Sequence, residues 1–149
     1  MLEYRFGVIG VFINEENKLL VCERSDFPGA WQFPQGGIEP GEGAIEAFYR
    51  EMNEELGTSK FAIIREGRRQ VRYRFPDSID SKIAKKYCGQ SLQWFLASFK
   101  EGKGPKIEKA DGEFKNFTWK TPQEVLELIV DWKRKAYEEG FSQLRIDFV

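Results

Sequence analysis

Residues 36–57 read GGIEPGEGAIEAFYREMNEELG. From Ala44 onward, Ile45, Phe48, Tyr49, Met52 and Leu56 recur at helical spacing, and Gly57 stands where a helix stops. At about 100° per residue, Glu51, Glu54 and Glu55 fall within an arc of about 100°, one carboxylate face. Ala44 and Ala47 share that arc with short side chains that leave room for a ligand, while Ile45, Phe48, Met52 and Leu56 form a neighbouring face that can bury. Three carboxylates this close repel one another unless a cation intervenes. The chain has no histidine and only two cysteines, Cys22 and Cys88, so the donors are oxygen and suit Mg²⁺ or Mn²⁺, ions that act on phosphates. By itself, a glutamate-rich helix face is most often a solvated surface.

Working outward, Tyr4–Ile13 and Lys18–Glu23 are rich in β-formers around Asn14-Glu15-Glu16-Asn17, which predicts a hairpin. A short extended segment follows at Trp31–Phe33, limited by Pro34. Beyond the helix, strands are predicted at Phe61–Arg65, Gln70–Phe75, Leu92–Phe99 and Phe114–Trp119. A second helix is announced by Thr121 as N-cap, Pro122 and Glu124, with an apolar stripe from Val125 through Trp132 to Ala136 and a stop at Gly140. Asp77–Gln90, with the arginine segment before it, is the least regular stretch and reads as a loop over the site. The order of strands, helix, strands, helix predicts an α+β fold, and 149 residues predict a single domain over 1–149.

Composition narrows the function. Without histidine, every Ser-His-Asp, Cys-His or His-metal mechanism is closed. The longest apolar run, Phe6 to Ile13, is too short to span a bilayer and no basic leader precedes it, so the expectation is a cytoplasmic protein without a membrane partner. The 23 basic and 24 acidic residues nearly cancel, but they are segregated. Six acids lie between Gly36 and Gly57, and Arg65, Arg68, Arg69, Arg72 and Arg74 crowd the segment that follows. That pattern suggests an acidic site for cations bordered by arginines that hold phosphate.

The spacing of residues 36–57 resembles a known signature. Gly36, Glu42 and the run Arg50-Glu51-Met52-Asn53-Glu54-Glu55-Leu56-Gly57 reproduce the Nudix hydrolase pattern G-x5-E-x7-R-E-U-x-E-E-x-G-U, with Thr58 departing at the final aliphatic position. Seven fixed positions match by chance in about one of 10⁷ sequences of this length, so the plain surface reading gives way. The flanks carry the resemblance further. Trp31-Gln32-Phe33-Pro34-Gln35-Gly36-Gly37, Tyr73-Arg74-Phe75-Pro76 and Gly89-Gln90-Ser91-Leu92-Gln93-Trp94-Phe95-Leu96 are similar to elements of bacterial RNA 5′-pyrophosphohydrolases and the related dinucleoside polyphosphate hydrolases. Tyr4-Arg5, Glu113-Phe114 and Trp132-Lys133-Arg134 extend the likeness to both ends of the chain.

This resemblance implies a Nudix fold, a mixed β-sheet sandwiched between helices (α/β/α). It implies Glu51, Glu54 and Glu55 as metal ligands, a main-chain carbonyl of Gln35 or Gly36 completing the sphere, and more than one Mg²⁺ or Mn²⁺ ion. Glu42 and Gly37 support the site, Arg50 orients the glutamates, and Glu113 reaches it from a loop as a further ligand or the general base. Arg5, Arg24, Trp132 and Lys133 approach the 5′ phosphates and first nucleotides of RNA, although Ser25 occupies the place aligned with the family arginine near Arg24. Arg72 and Arg74 join them as candidate phosphate contacts. The implied reaction removes pyrophosphate from 5′-triphosphorylated RNA, by a monomer or homodimer. The alternative substrates are dinucleoside polyphosphates such as diadenosine tetraphosphate, or (deoxy)nucleoside triphosphates. A catalytically silent sensor would require decay of the signature, and all three glutamates are intact.

Overall fold

The computed structural model describes residues 2–147. Strand β1 (Glu3–Phe12) runs through the centre of the molecule. It is followed by β2 (Leu19–Arg24), β3 (Trp31–Gln32), β4 (Gln35–Gly37) and helix α1 (Ala44–Leu56). Then come β5 (Phe61–Glu66), β6 (Val71–Arg74), the short α2 (Lys82–Lys86), the long β7 (Tyr87–Phe99), β8 (Phe114–Lys120), α3 (Pro122–Leu128) and α4 (Asp131–Gln143). One five-stranded sheet has the order β4-β1-β7-β5, with β6 pairing β7 ahead of β5. β1 and β7 run parallel from Glu3↔Tyr87 to Phe12↔Ala97 while the other pairs are antiparallel, so the sheet is mixed. A second, antiparallel sheet has the order β3-β2-β8. The fold is α+β, as the sequence implies.

Strand alternation divides the interior between two helical layers. Ile9 and Val11 of β1 join Leu92, Trp94 and Leu96 of β7 in a core with Tyr137 and Phe141 of α4. Val8 and Phe12 turn the other way and join Phe95 and Ala97 in a core with Phe48, Met52 and Leu56 of α1. Helix α1 matches its expected range, and Gly57 closes it in the left-handed conformation (φ 71°) that a glycine tolerates best. Thr58, the departure from the signature, is buried with its hydroxyl accepting the Lys60 amide at 3.1 Å.

Several expectations are corrected. The turn at 14–17 forms, with Asn14 Oδ1 accepting the amides of Glu16 and Lys18, but β1 and β2 do not make a hairpin. After one bridge, Ile13↔Leu19, they diverge into different sheets because each finds longer partners elsewhere. The single helix expected after Thr121 is two. The capping box is present, but Ile129 and Val130 are extended and separate α3 from α4. Gly140 does not end the second helix. It lies inside α4, where an added Cβ would sit 2.3 Å from the Trp94 ring, so its role is close packing. Asp77–Gln90 is not all loop, since it contains α2 and the first residues of β7. On α1, Ile45 is half exposed and Ala47 is buried in the core, which reverses the faces assigned to them.

Candidate active site

The Gly-Gly turn and α1 build the acidic half of the site. Arg50 is its hub. Its Nε and Nη2 donate to the two Glu42 carboxylate oxygens at 2.8 and 2.9 Å, and Nη2 also donates to the Gly37 carbonyl at 2.8 Å. Its Nη1 donates to Glu51 at 2.8 Å and lies 3.5 Å from Glu54. These hydrogen bonds hold the Glu42 carboxyl down at about 2, and Glu42 and Glu51 together strengthen the hold of Arg50 on its proton. Gly36 is required by proximity, because a Cβ there would come within 1.9 Å of the Glu51 carboxyl group.

Glu55 is different. It is 1% exposed and accepts the Gln35 amide at 3.0 Å through Oε1, while its buried Oε2 has no hydrogen-bond partner. Burial first, then the negative charges of Glu113 and Glu51, raise its carboxyl well above the ordinary range. Glu113 precedes β8, where its carbonyl accepts the Ser25 amide at 2.9 Å. Loss of water raises its carboxyl to about 7, with Asp111 and Glu51 adding repulsion and Arg24 opposing it. Among the described residues no three acids converge as a closed ligand set. Arg50 holds Glu51 and Glu54 while Glu55 is drawn to the strand. An orphaned buried carboxylate oxygen, mutual repulsion and hard oxygen donors nevertheless fit a divalent cation, with Glu51, Glu54, Glu55 and Glu113 able to hold it.

The other half of the site faces α4. A cleft of about 700 Å³ is lined by Arg24, Trp31, Gln32, Val130, Trp132 and Lys133, among others. Lys133 is only 7% exposed, and its Nζ lies 5.6 Å from the Tyr73 ring and 5.2 Å from the Trp132 ring. Burial, then the nearby Arg24 charge, lowers its ammonium to about 8. It makes no ion pair among the described residues, an arrangement that costs energy until an anion arrives. Trp132 is partly buried, packing on Tyr73 and Phe75 with ring centroids 5.5 and 6.2 Å away. Arg5 lies along β4, close enough that a Cβ on Gly37 would sit 2.7 Å from its Nη2. Arg24 forks onto Asp26 at 2.9 and 2.7 Å, at the mouth of the cleft.

The arginine block is not brought into this cleft. Arg72 and Arg74 alternate with Tyr73 and point to the opposite face of the sheet, where Arg72 stacks on Tyr4 at 4.8 Å. Arg65 donates to the Leu144 carbonyl at 2.8 Å, and Arg69 pairs loosely with Glu139 at 3.8 Å. Sequence reasoning missed a polar cluster instead. The Gln35 side chain donates to the Tyr73 hydroxyl at 3.4 Å, and Gln90, 4% exposed, lies beside Tyr73 across the β6–β7 pairing. Burial raises that hydroxyl to about 12. Both glutamines lie in quoted motifs, but only the register of β4, β6 and β7 brings them together.

A glutamate helix behind a Gly-Gly strand, facing a cationic aromatic cleft, is a phosphate-handling arrangement. Residues 3–140 match the NUDIX domain model, and the chain belongs to the Nudix hydrolase family. It is 37% identical over 145 residues to Nudix hydrolase 25 of Arabidopsis thaliana, covering 91% of this chain and 83% of the relative. It is 32% identical over 149 residues to the RNA pyrophosphohydrolase of Helicobacter pylori strain G27, covering 97% of this chain and 96% of the relative. Among solved structures, the E. coli dihydroneopterin triphosphate pyrophosphohydrolase shares the fold with a TM-score of 0.70 at 22% identity, covering 92% of this chain and 96% of the other.

Proposed function

We propose that this protein is a cytoplasmic RNA pyrophosphohydrolase, removing pyrophosphate from 5′-triphosphorylated RNA to leave a 5′-monophosphate and so promoting mRNA decay. The observation that carries this reading is the pairing of an acidic cluster with a buried, unpaired lysine among aromatic rings. The relatives named RNA pyrophosphohydrolase support the same substrate. Among the described residues no helix is long and apolar enough to cross a membrane.

Glu51, Glu54 and Glu55, with a main-chain carbonyl of Gln35 or Gly36, would hold a divalent Mg²⁺ or Mn²⁺, which would supply a more acidic water and neutralise polyphosphate charge. The residues of the chain do the rest. Arg50 keeps Glu51 and Glu54 in place, and Gln35 fixes Glu55 through its amide. Glu113, which reaches this cluster from the loop before β8, is the carboxylate placed to take the proton of the attacking water or to complete the ligand set. Lys133 and Arg5 receive the phosphates, and Trp132 offers a face on which a splayed base can stack.

The test is a side-by-side assay in Mg²⁺ with a short 5′-triphosphorylated RNA bearing an unpaired end, diadenosine tetraphosphate and free nucleoside triphosphates at equal concentration. The expected result is strong preference for RNA. Preference for the small nucleotides would make the protein a nucleotide hydrolase and overturn the RNA reading.

A further inference from the structure

A second hollow, of about 610 Å³, lies where β1 begins and β6 ends, against the 76–81 segment and α2. Tyr4, Tyr87 and Phe75 bring aromatic rings to it and Arg74 a guanidinium. Leu2 and Ile79, both substantially exposed, bring apolar surface. Ile79 also lines the Lys133 cleft, so the two depressions adjoin across one side chain.

We infer that this hollow receives downstream nucleotides of an RNA whose 5′ phosphates occupy the Lys133 cleft. The inference rests on the proposed RNA substrate and extends it to a second contact region. Three features favour RNA here. Aromatic faces beside a guanidinium are the platform on which unpaired bases stack. Arg72 is already held on Tyr4, with Nε donating to Ser91 Oγ at 3.3 Å, so a cation is fixed at this end of the sheet without consuming its charge. At the hollow, Arg74 and, stacked on Tyr4, Arg72 have no acidic partner among the described residues. Asp77 is the one acid of the lining, and Asp80 of the same segment is engaged by Lys85 at 3.7 Å. An uncharged apolar segment would leave those two cations uncompensated, whereas a phosphodiester chain compensates them. A mononucleotide has one base and fills one depression, but several linked nucleotides can occupy both.

The test is fluorescence anisotropy with a labelled, 5′-monophosphorylated RNA dodecamer and with a dinucleotide, comparing native protein with Tyr4→Ser/Tyr87→Ser and Arg74→Ala. Binding of the dodecamer is expected to weaken about five- to tenfold in the tyrosine variant while dinucleotide binding is unchanged. Arg74→Ala is expected to lower the salt slope of dodecamer binding by about one. Arg74 is exposed, so this arm stands even if the tyrosine variant fails to fold. Native-like dodecamer binding and salt slope in the variants would overturn the inference. So would a native dimer, seen by sedimentation, that the tyrosine substitutions dissociate, since the hollow would then belong to a second copy. Because this binding is read without turnover, failure to release pyrophosphate from triphosphorylated RNA would count against the proposed activity alone.

Discussion

The acid edge of α1 and the Lys133 cleft are built on opposite electrostatic plans. At the acid edge, Glu39 and Glu42 ahead of α1 and Glu51 and Glu54 on it share the one Arg50 guanidinium, and Glu42 is held down at about 2. In the cleft, Lys133 is buried against rings with no counterion among the described residues. Glu42, Glu51 and Glu54 are prearranged by Arg50, while Glu55 is left for a cation and Lys133 for an anion. The contrast teaches where each kind of error would fall. Damage to the acid edge acts on turnover, and damage to the cleft acts on substrate binding, because the cleft holds the uncompensated positive charge that a substrate phosphate answers.

The largest expected effect is that of Glu55→Gln, which should lower kcat by about 10²- to 10³-fold, the scale of removing an essential electrostatic group. Its melting temperature should hold or rise, since a neutral amide relieves a desolvated carboxylate repelled by Glu113 and Glu51. A folded Glu55→Gln protein at native rate would erase the distinction between the two regions. Arg50→Ala comes next, with an expected loss of about 10- to 100-fold in kcat, because it touches the glutamates rather than the substrate. Arg50→Lys should recover only part of this, since an ammonium cannot reproduce the fork onto Glu42.

Lys133→Ala should raise KM for RNA by about tenfold with little change in kcat, and more for RNA than for a free nucleotide. The pH dependence sharpens this. Only the ammonium attracts phosphate, and burial lowers it to about 8, so KM should be flat in acid and rise as pH passes about 8. Lys133→Arg should remove that alkaline limb, measurable as KM across pH. The smallest effect on chemistry is that of Gly140→Ala, which forces a methyl against Trp94 and should cost about 1–3 kcal/mol of stability by denaturant melting while leaving KM nearly unchanged.

The two regions also differ in how far they could be read from sequence. The acid edge lies within 22 consecutive residues, so helical period and spacing set Arg50, Glu51, Glu54 and Glu55 on one element and Gly57 at its end. The cleft draws on β2, β3, the 78–81 segment and α4, with Tyr73 of β6 beside Lys133, and no local pattern states that Gln35 meets Tyr73. Lys133 could equally have been a surface lysine, and only its burial separates the two cases. The arginine block could not be placed from composition, because strand alternation turns Arg72 and Arg74 away from Tyr73 and the Lys133 cleft. Gly140 misled for a related reason, as a long-range contact with Trp94 outweighed a local stop signal.

The most direct measurement is equilibrium binding of 5′-triphosphorylated RNA to Glu55→Gln in Mg²⁺, followed by single-turnover assay of the same mixture. A division of labour between acid edge and cleft requires affinity within about twofold of native and turnover reduced about 10²- to 10³-fold. Turnover at the native rate, or loss of RNA affinity as severe as that of Lys133→Ala, would contradict it.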